Sequence, residues 1–234
     1  MSPATPLIEQ DWRDVSGWRL LGVLIGTMVL FVGGAVLSVV IAEVAQLSES
    51  QVETFDTVFL PILALTSVFA PLWLLVLRPA DGRLLVFGRP TARWLLLAVI
   101  VGVTVAIGGN LLTEAISRLA GVERRAQVEF TSTAGATVVL WVRSGLVVPV
   151  VEEVLFRGVV FNWLRAHGSV RVAVLVSALL FSAVHLNPVS SVSLFLMGVV
   201  LAWLYYYTES LLVPIVAHAA GNSVIILVNY LLAS

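Results

Sequence analysis

Seven stretches of apolar residues separated by short polar connections organise this chain: Trp18 to Ala42, Val58 to Leu77, Trp94 to Leu112, Ala136 to Leu164, Val172 to Leu186, Val189 to Tyr207 and Leu211 to Leu232. A helix needs about 20 apolar residues to cross the hydrocarbon core of a bilayer, and there every backbone N–H and C=O must be satisfied within the segment. The pattern therefore predicts an all-α fold, a polytopic transmembrane bundle of about seven helices. The fifth run is short and the fourth carries charges. The longest connection, Ser117 to Gly135 with Glu123, Arg124, Arg125 and Glu129, has room for an eighth, interfacial helix. Residues 1–234 read as a single integral membrane domain without a linker. Within it, residues 18–112 carry little embedded polarity and read as scaffold, while residues 136–232 carry the polar positions. Gly22 and Gly26 have the spacing that lets helices approach closely, a spacing that chance also produces in a Gly-rich helix. No repeat of fixed period is evident, which counts against a carrier built from inverted repeats.

Composition sharpens this picture. Apolar residues make up 59% of the chain and charged ones 12%, about half the ~25% of an ordinary soluble domain. A net charge of -1 offers no basic face to nucleic acid. The absence of cysteine rules out disulfides and Cys-ligated metal or iron–sulfur centres. All 13 basic residues are Arg, which reads as codon bias rather than chemistry. Met1 to Arg19 lacks the charge, apolar core and cleavage site of a secretory signal, so the first helix is expected to be retained, and neither end carries a lipidation signature. With the N-terminus cytoplasmic, Arg13, Arg19, Arg78, Arg83, Arg89, Arg93, Arg165 and Arg171 all fall on that side. Arg118, Arg124, Arg125 and, near the surface, Arg143 fall on the other. The positive-inside rule favours this orientation.

The informative residues are the polar ones inside the spans. Glu152, Glu153 and Arg157 lie about a dozen residues from either end of the fourth run, where an uncompensated ionisable group costs roughly 2.5 to 3.5 kcal/mol. Glu153 and Arg157 are four apart with the acid first, the favoured order for an ion pair on one face, and Glu152 points about 100° away. A buried ion-pair network that only fixes packing would account for the pair but not for the spare carboxylate. His185 ends the run Phe181-Ser-Ala-Val-His185, and His218 begins His218-Ala-Ala-Gly-Asn222, which puts His218 and Asn222 on one helical face. A lone histidine in an apolar helix is usually a packing residue. Two histidines, an asparagine and a free carboxylate on three helices are harder to explain that way. His167, between Arg165 and Arg171, reads as a solvated loop residue. Pro149, Pro188 and Pro214 lie close to these positions and can free backbone groups or kink a helix.

These groups suit hydrolysis. Glu152 can take a proton from water, with His185 sharing or orienting that step, and His218 and Asn222 can donate to the oxyanion of a tetrahedral intermediate. The same atoms also allow another reading, in which Glu152, His185 and His218 hold a catalytic zinc with one position open to water and Glu153 acts as base. No HExxH supports it, and residue types alone leave zinc and metal-free chemistry both open.

The series Glu152-Glu153-Val-Leu-Phe-Arg157, Phe181-Ser-Ala-Val-His185 and His218-Ala-Ala-Gly-Asn222 resembles the EExxxR, FxxxH and HxxxN motifs of the CPBP intramembrane proteases. That family groups type II CAAX prenyl endopeptidases with bacteriocin-processing and immunity-associated membrane proteins. The resemblance covers about 70 residues in the last four spans. It implies an intramembrane, metalloendopeptidase-like hydrolase in which Glu152 and His185 activate water and His218 and Asn222 stabilise the oxyanion. Glu153, Arg157 and Phe181 would support them. All-Arg usage and short loops look like a prokaryotic plasma-membrane member, whose expected substrate is a membrane-anchored peptide or protein rather than a prenylated one. Two other classes compete: a non-enzymatic scaffold or immunity-type protein that uses the polar cluster for packing or partner binding, and a proton-coupled carrier using Glu and His as a relay.

Overall fold

A computed structural model describes residues 11–78, 84–122 and 134–233, and among them every regular element is helical. Helix α1 is Gly17–Val44. Helix α2 is Glu49–Leu72, continued by a wider π-helical turn over Trp73–Leu77. Helix α3 is Ala92–Ala120. Helix α4 is composite: Ala134–Leu140, a π-helical stretch Trp141–Val147, Val148–Glu153, a second π-helical stretch Val154–Phe161, and Asn162–His167. Helices α5, α6 and α7 are Val170–Ala183, Ser191–Thr208 and Leu212–Ala233. The described residues thus form a polytopic bundle of seven long helices, five of which hold segments long and apolar enough to cross a membrane.

Two boundaries differ from the sequence reading. Helix α3 does not stop at Leu112 but continues to Ala120, taking Glu114, Ser117 and Arg118 into its last turns. A Glu114–Arg118 ion pair at 2.6 Å and the left-handed Gly121 at its end explain why: a run of hydropathy ends at polar residues, whereas a helix ends at a cap. The eighth, interfacial helix would fall on residues 123–133, outside the described residues. Helix α5 has 14 residues, roughly 21 Å at 1.5 Å per residue, which is less than the hydrocarbon thickness. It is too short to cross that core unaided, and His185 follows it in a turn where Leu186 takes a left-handed φ of 49°.

Between helices in lipid there is little hydrophobic drive, so packing depends on close contact at small residues. Gly22 and Gly26 do face a neighbour: a Cβ on either would meet Leu75 or Pro71 of α2. A tighter contact, which the sequence reading did not single out, joins α3 to α7. A Cβ on Gly102 would lie 1.9 Å from the Ala217 carbonyl oxygen, and one on Gly221 would lie 2.9 Å from the Gly102 carbonyl oxygen. These backbones touch one residue before His218 and one before Asn222.

The end of the bundle that carries the N-terminal segment is tied by hydrogen bonds from indoles and loops. Trp12, fully buried, donates from Nε1 to the Leu84 carbonyl at 3.2 Å. Trp163 donates to the Val15 carbonyl at 2.9 Å, and Leu211 N donates to Val86 O at 3.0 Å. Arg165 pairs with Glu209 at 3.0 Å.

Gly102→Ala is expected to destabilise the bundle by about 1–3 kcal/mol, the usual cost of overpacking, because its methyl meets backbone rather than a movable side chain. Gly108→Ala on the same helix, where a Cβ meets nothing within 4 Å, should be neutral. Thermal unfolding of the two variants in detergent compares them directly.

Candidate active site

The sequence places Glu152, Glu153 and Arg157 within two turns of α4, and the structure sends them in two directions. Glu153 and Arg157 face inward and are fully buried, with Arg157 Nη1 donating to Glu153 Oε1 at 2.9 Å. The guanidinium also donates from Nη2 to the Gly198 carbonyl of α6 at 3.0 Å and lies 4.9 Å from the centre of the Phe181 ring. His218 of α7 directs Nδ1 at the same Glu153 Oε1, at 2.9 Å. Glu153 thus receives a cation from its own helix and an imidazole from another, a link between helices that i,i+4 spacing could not reveal. Among the buried atoms, Glu153 Oε2 and Arg157 Nε have no hydrogen-bond partner.

Glu152 points into a cavity instead. Its Oε1 lies 3.7 Å from His185 Nε2 and its Oε2 lies 3.7 Å from His218 Nε2. These gaps are longer than a hydrogen bond, and Oε2 is buried without a partner. The second imidazole nitrogens fix the rings. His185 Nδ1 is 2.7 Å from the Phe181 carbonyl, which can only accept, so Nδ1 carries the proton. His218 Nδ1 meets the Glu153 carboxylate in the same sense. With Nδ1 so engaged, both rings turn Nε2 toward Glu152.

Phe181 is the packing centre of the group. It is fully buried, edge-on to Phe156 at 5.3 Å and to His218 at 5.9 Å, and 4.9 Å from the His185 ring. Asn222, one turn beyond His218, spends one amide hydrogen on the Ser144 carbonyl at 2.8 Å and keeps the other. His167 lies apart from this cluster: it is exposed, stacked on Trp163 with ring centres 4.3 Å apart.

The cavity has a volume of about 1000 Å³ and is lined by Glu152, His185, His218 and Asn222 together with Arg143 and Ser144. Its other walls are mainly apolar and include Phe31 of α1, Leu60, Pro61 and Ala64 of α2, and Ile116 and Ala120 of α3. The first half of the chain is therefore more than a scaffold behind the site, because it closes one side of it. Arg143, which the sequence suggested lay near the membrane surface, belongs to the cavity wall. Glu152, His185 and His218, the zinc set weighed from the sequence, are neighbours. Among the described residues, however, no three His, Asp or Glu side chains are grouped so as to hold a metal ion.

Removing one partner of the buried pair leaves an uncompensated charge. Arg157→Met is expected to cost about 3–5 kcal/mol, whereas Glu153→Gln combined with Arg157→Met should recover much of that loss. Unfolding midpoints of the single and double variants in detergent test the coupling.

Comparison with known proteins bears on the same segment. Residues 134–224 match the profile of the Rce1-like type II CAAX prenyl endopeptidases. A Bacillus subtilis (strain 168) protein, YdiL, described as a candidate membrane peptidase, is 31% identical over 86 residues, covering 37% of this chain and 35% of that protein. The chain thus spans about a third of the length of this relative. No solved structure matches the chain. The matched segment holds the whole Glu152, His185, His218 and Asn222 constellation, and it is through these helices that the chain is similar to the Rce1-like membrane endopeptidases.

Proposed function

We propose that this protein is an intramembrane endopeptidase that hydrolyses a peptide bond of a membrane-associated protein or peptide with water activated by Glu152 and His185. The observation that carries this reading is the placement of Glu152: a carboxylate on the wall of a largely apolar cavity, 3.7 Å from the Nε2 atoms of two histidines. A gap of that length suits a bridging water. In this site the water donates one hydrogen to Glu152 and the other to His185 Nε2, leaving an oxygen lone pair for a substrate carbonyl carbon. As the C–O bond forms, Glu152 takes the proton. The oxyanion accepts from the free amide hydrogen of Asn222 and from His218 Nε2 when that ring is doubly protonated, with Glu153 accepting on its Nδ1 side. Collapse of the intermediate breaks the C–N bond, and Glu152 returns its proton to the departing amine.

Glu153, Arg157 and Phe181 act as positioning residues: they hold His218 and His185 in the tautomer and orientation that this sequence of transfers uses. The tether to arginine-rich loops supports an N-terminus on the cytoplasmic side, by the positive-inside rule, and a plasma membrane of prokaryotic type fits the loop lengths and arginine usage.

With purified protein and a pool of membrane-derived peptides, wild type is expected to generate new termini that mass spectrometry can map. Glu152→Gln, His185→Ala and His218→Ala should each lower that rate by about 10²- to 10⁴-fold while the protein still inserts and elutes as folded material. Loss of wild-type cleavage on adding chelator would transfer Glu152, His185 and His218 to a zinc-based reaction. Identical termini from wild type and Glu152→Gln would instead favour the scaffold reading.

A further inference from the structure

Of the described residues lining the cavity, Arg143 is the one cation, and no described residue forms an ion pair or hydrogen bond with its guanidinium. It is half-buried on α4, nine residues before Glu152. On a regular α-helix of 3.6 residues per turn, nine residues place two side chains on roughly opposite faces. The π-helical stretch Trp141–Val147 absorbs an additional residue and takes roughly 100° off that angle, which brings Arg143 round to the face that carries Glu152. The turn is also fixed in place: Trp141 Nε1 donates to Ser223 Oγ at 2.8 Å, and Ser144 O accepts from Asn222 at 2.8 Å. An arginine held by a wide turn on the wall of a largely apolar membrane cavity has a charge to satisfy, and few other polar groups there can confer selectivity.

We infer that Arg143 is a specificity-determining residue that binds a carboxylate of the peptide substrate. This rests on the hydrolytic reading for its substrate class, though not for its geometry. Nine residues of helix separate Arg143 from Glu152 by roughly 13 Å, and an extended peptide covers that in about four residues at 3.3–3.6 Å each. The preferred substrate carries an Asp, a Glu or its own chain end about four residues from the cleaved bond.

The test reads binding in Glu152→Gln protein, which holds the peptide without turning it over, in phosphatidylcholine nanodiscs. The probes are fluorescent apolar peptides in matched pairs, Asp against Asn at the fourth position on either side of a central bond, and free acid against amide at the chain end. The carboxylate member of at least one pair should bind about tenfold more tightly, the scale of one charge-assisted hydrogen bond. Adding Arg143→Lys should keep the preference, Arg143→Gln should erase it, and Arg143→Glu should turn it toward a peptide with Arg at that position. Equal binding of every pair, a preference that survives Arg143→Gln, or its loss in Arg143→Lys would overturn the inference. So would loss of the preference when phosphatidylglycerol replaces the neutral lipid, since a lipid phosphate would then be the occupant. Because binding is read without turnover, a preference found in a protein whose wild type never cleaves would count against the hydrolytic reading alone. Absence of a preference in a protein that does cleave would count against Arg143 alone.

Discussion

The buried group of Glu153, Arg157 and His218 is the interaction on which the rest of this site depends. An acid and a base one turn apart on α4 neutralise each other within a single helix, so α4 can enter the bilayer with that pair of charges already compensated. The pair then gains a carbonyl from α6 and an imidazole from α7. Each added partner is also a positional restraint. Glu153 holds the His218 ring from its Nδ1 side, and Arg157 lies over the Phe181 ring that packs against both histidines. Glu152 is turned away from this group and left to face the cavity, so the ion pair supplies rigidity and leaves the odd carboxylate open to the cavity. A buried ion pair contributes little net stability in general; here its value is that it fixes which histidine nitrogen faces the carboxylate.

Contact between backbones complements this charge network. With Gly102 set against the Ala217 carbonyl, α7 sits close to α3, and the next residue along α7 is His218. The short α5 performs a similar service for His185, because a helix that stops before crossing the bilayer can present its terminal residue at the depth of Glu152. The side chains of Glu152, His218 and His185 thus reach one point by three means: a spare position beside an ion pair, a glycine contact and an early helix end.

Much of this was legible in the sequence. Hydropathy runs located the helices, and the order of Glu153 and Arg157 placed them on one face and Glu152 on another. The grouping of His185, His218 and Asn222 near Glu152 was foreseen from residue types that membrane interiors otherwise exclude. What escaped has identifiable causes. The extension of α3 was hidden because polarity, not helicity, ends a hydropathy run. The Glu153–His218 link and the Gly102–Ala217 contact join residues far apart in sequence and leave no periodic trace. Arg143 appeared to lie near the surface because it stands only seven residues into the fourth apolar run, and the wide stretch Trp141–Val147 that turns it toward the face of Glu152 has no residue signature of its own.

The N-terminal segment carries a consequence for how the chain is made. Trp12 is buried beneath Leu84, 72 residues later, and Val15 receives the indole of Trp163, 148 residues later. At about 5–20 residues per second, ribosomal synthesis delivers those partners seconds to tens of seconds after the segment itself. During that interval Trp12 and Val15 lack these partners, so the docking of the segment is a late, closing event of biogenesis that needs the fourth helix to be in place.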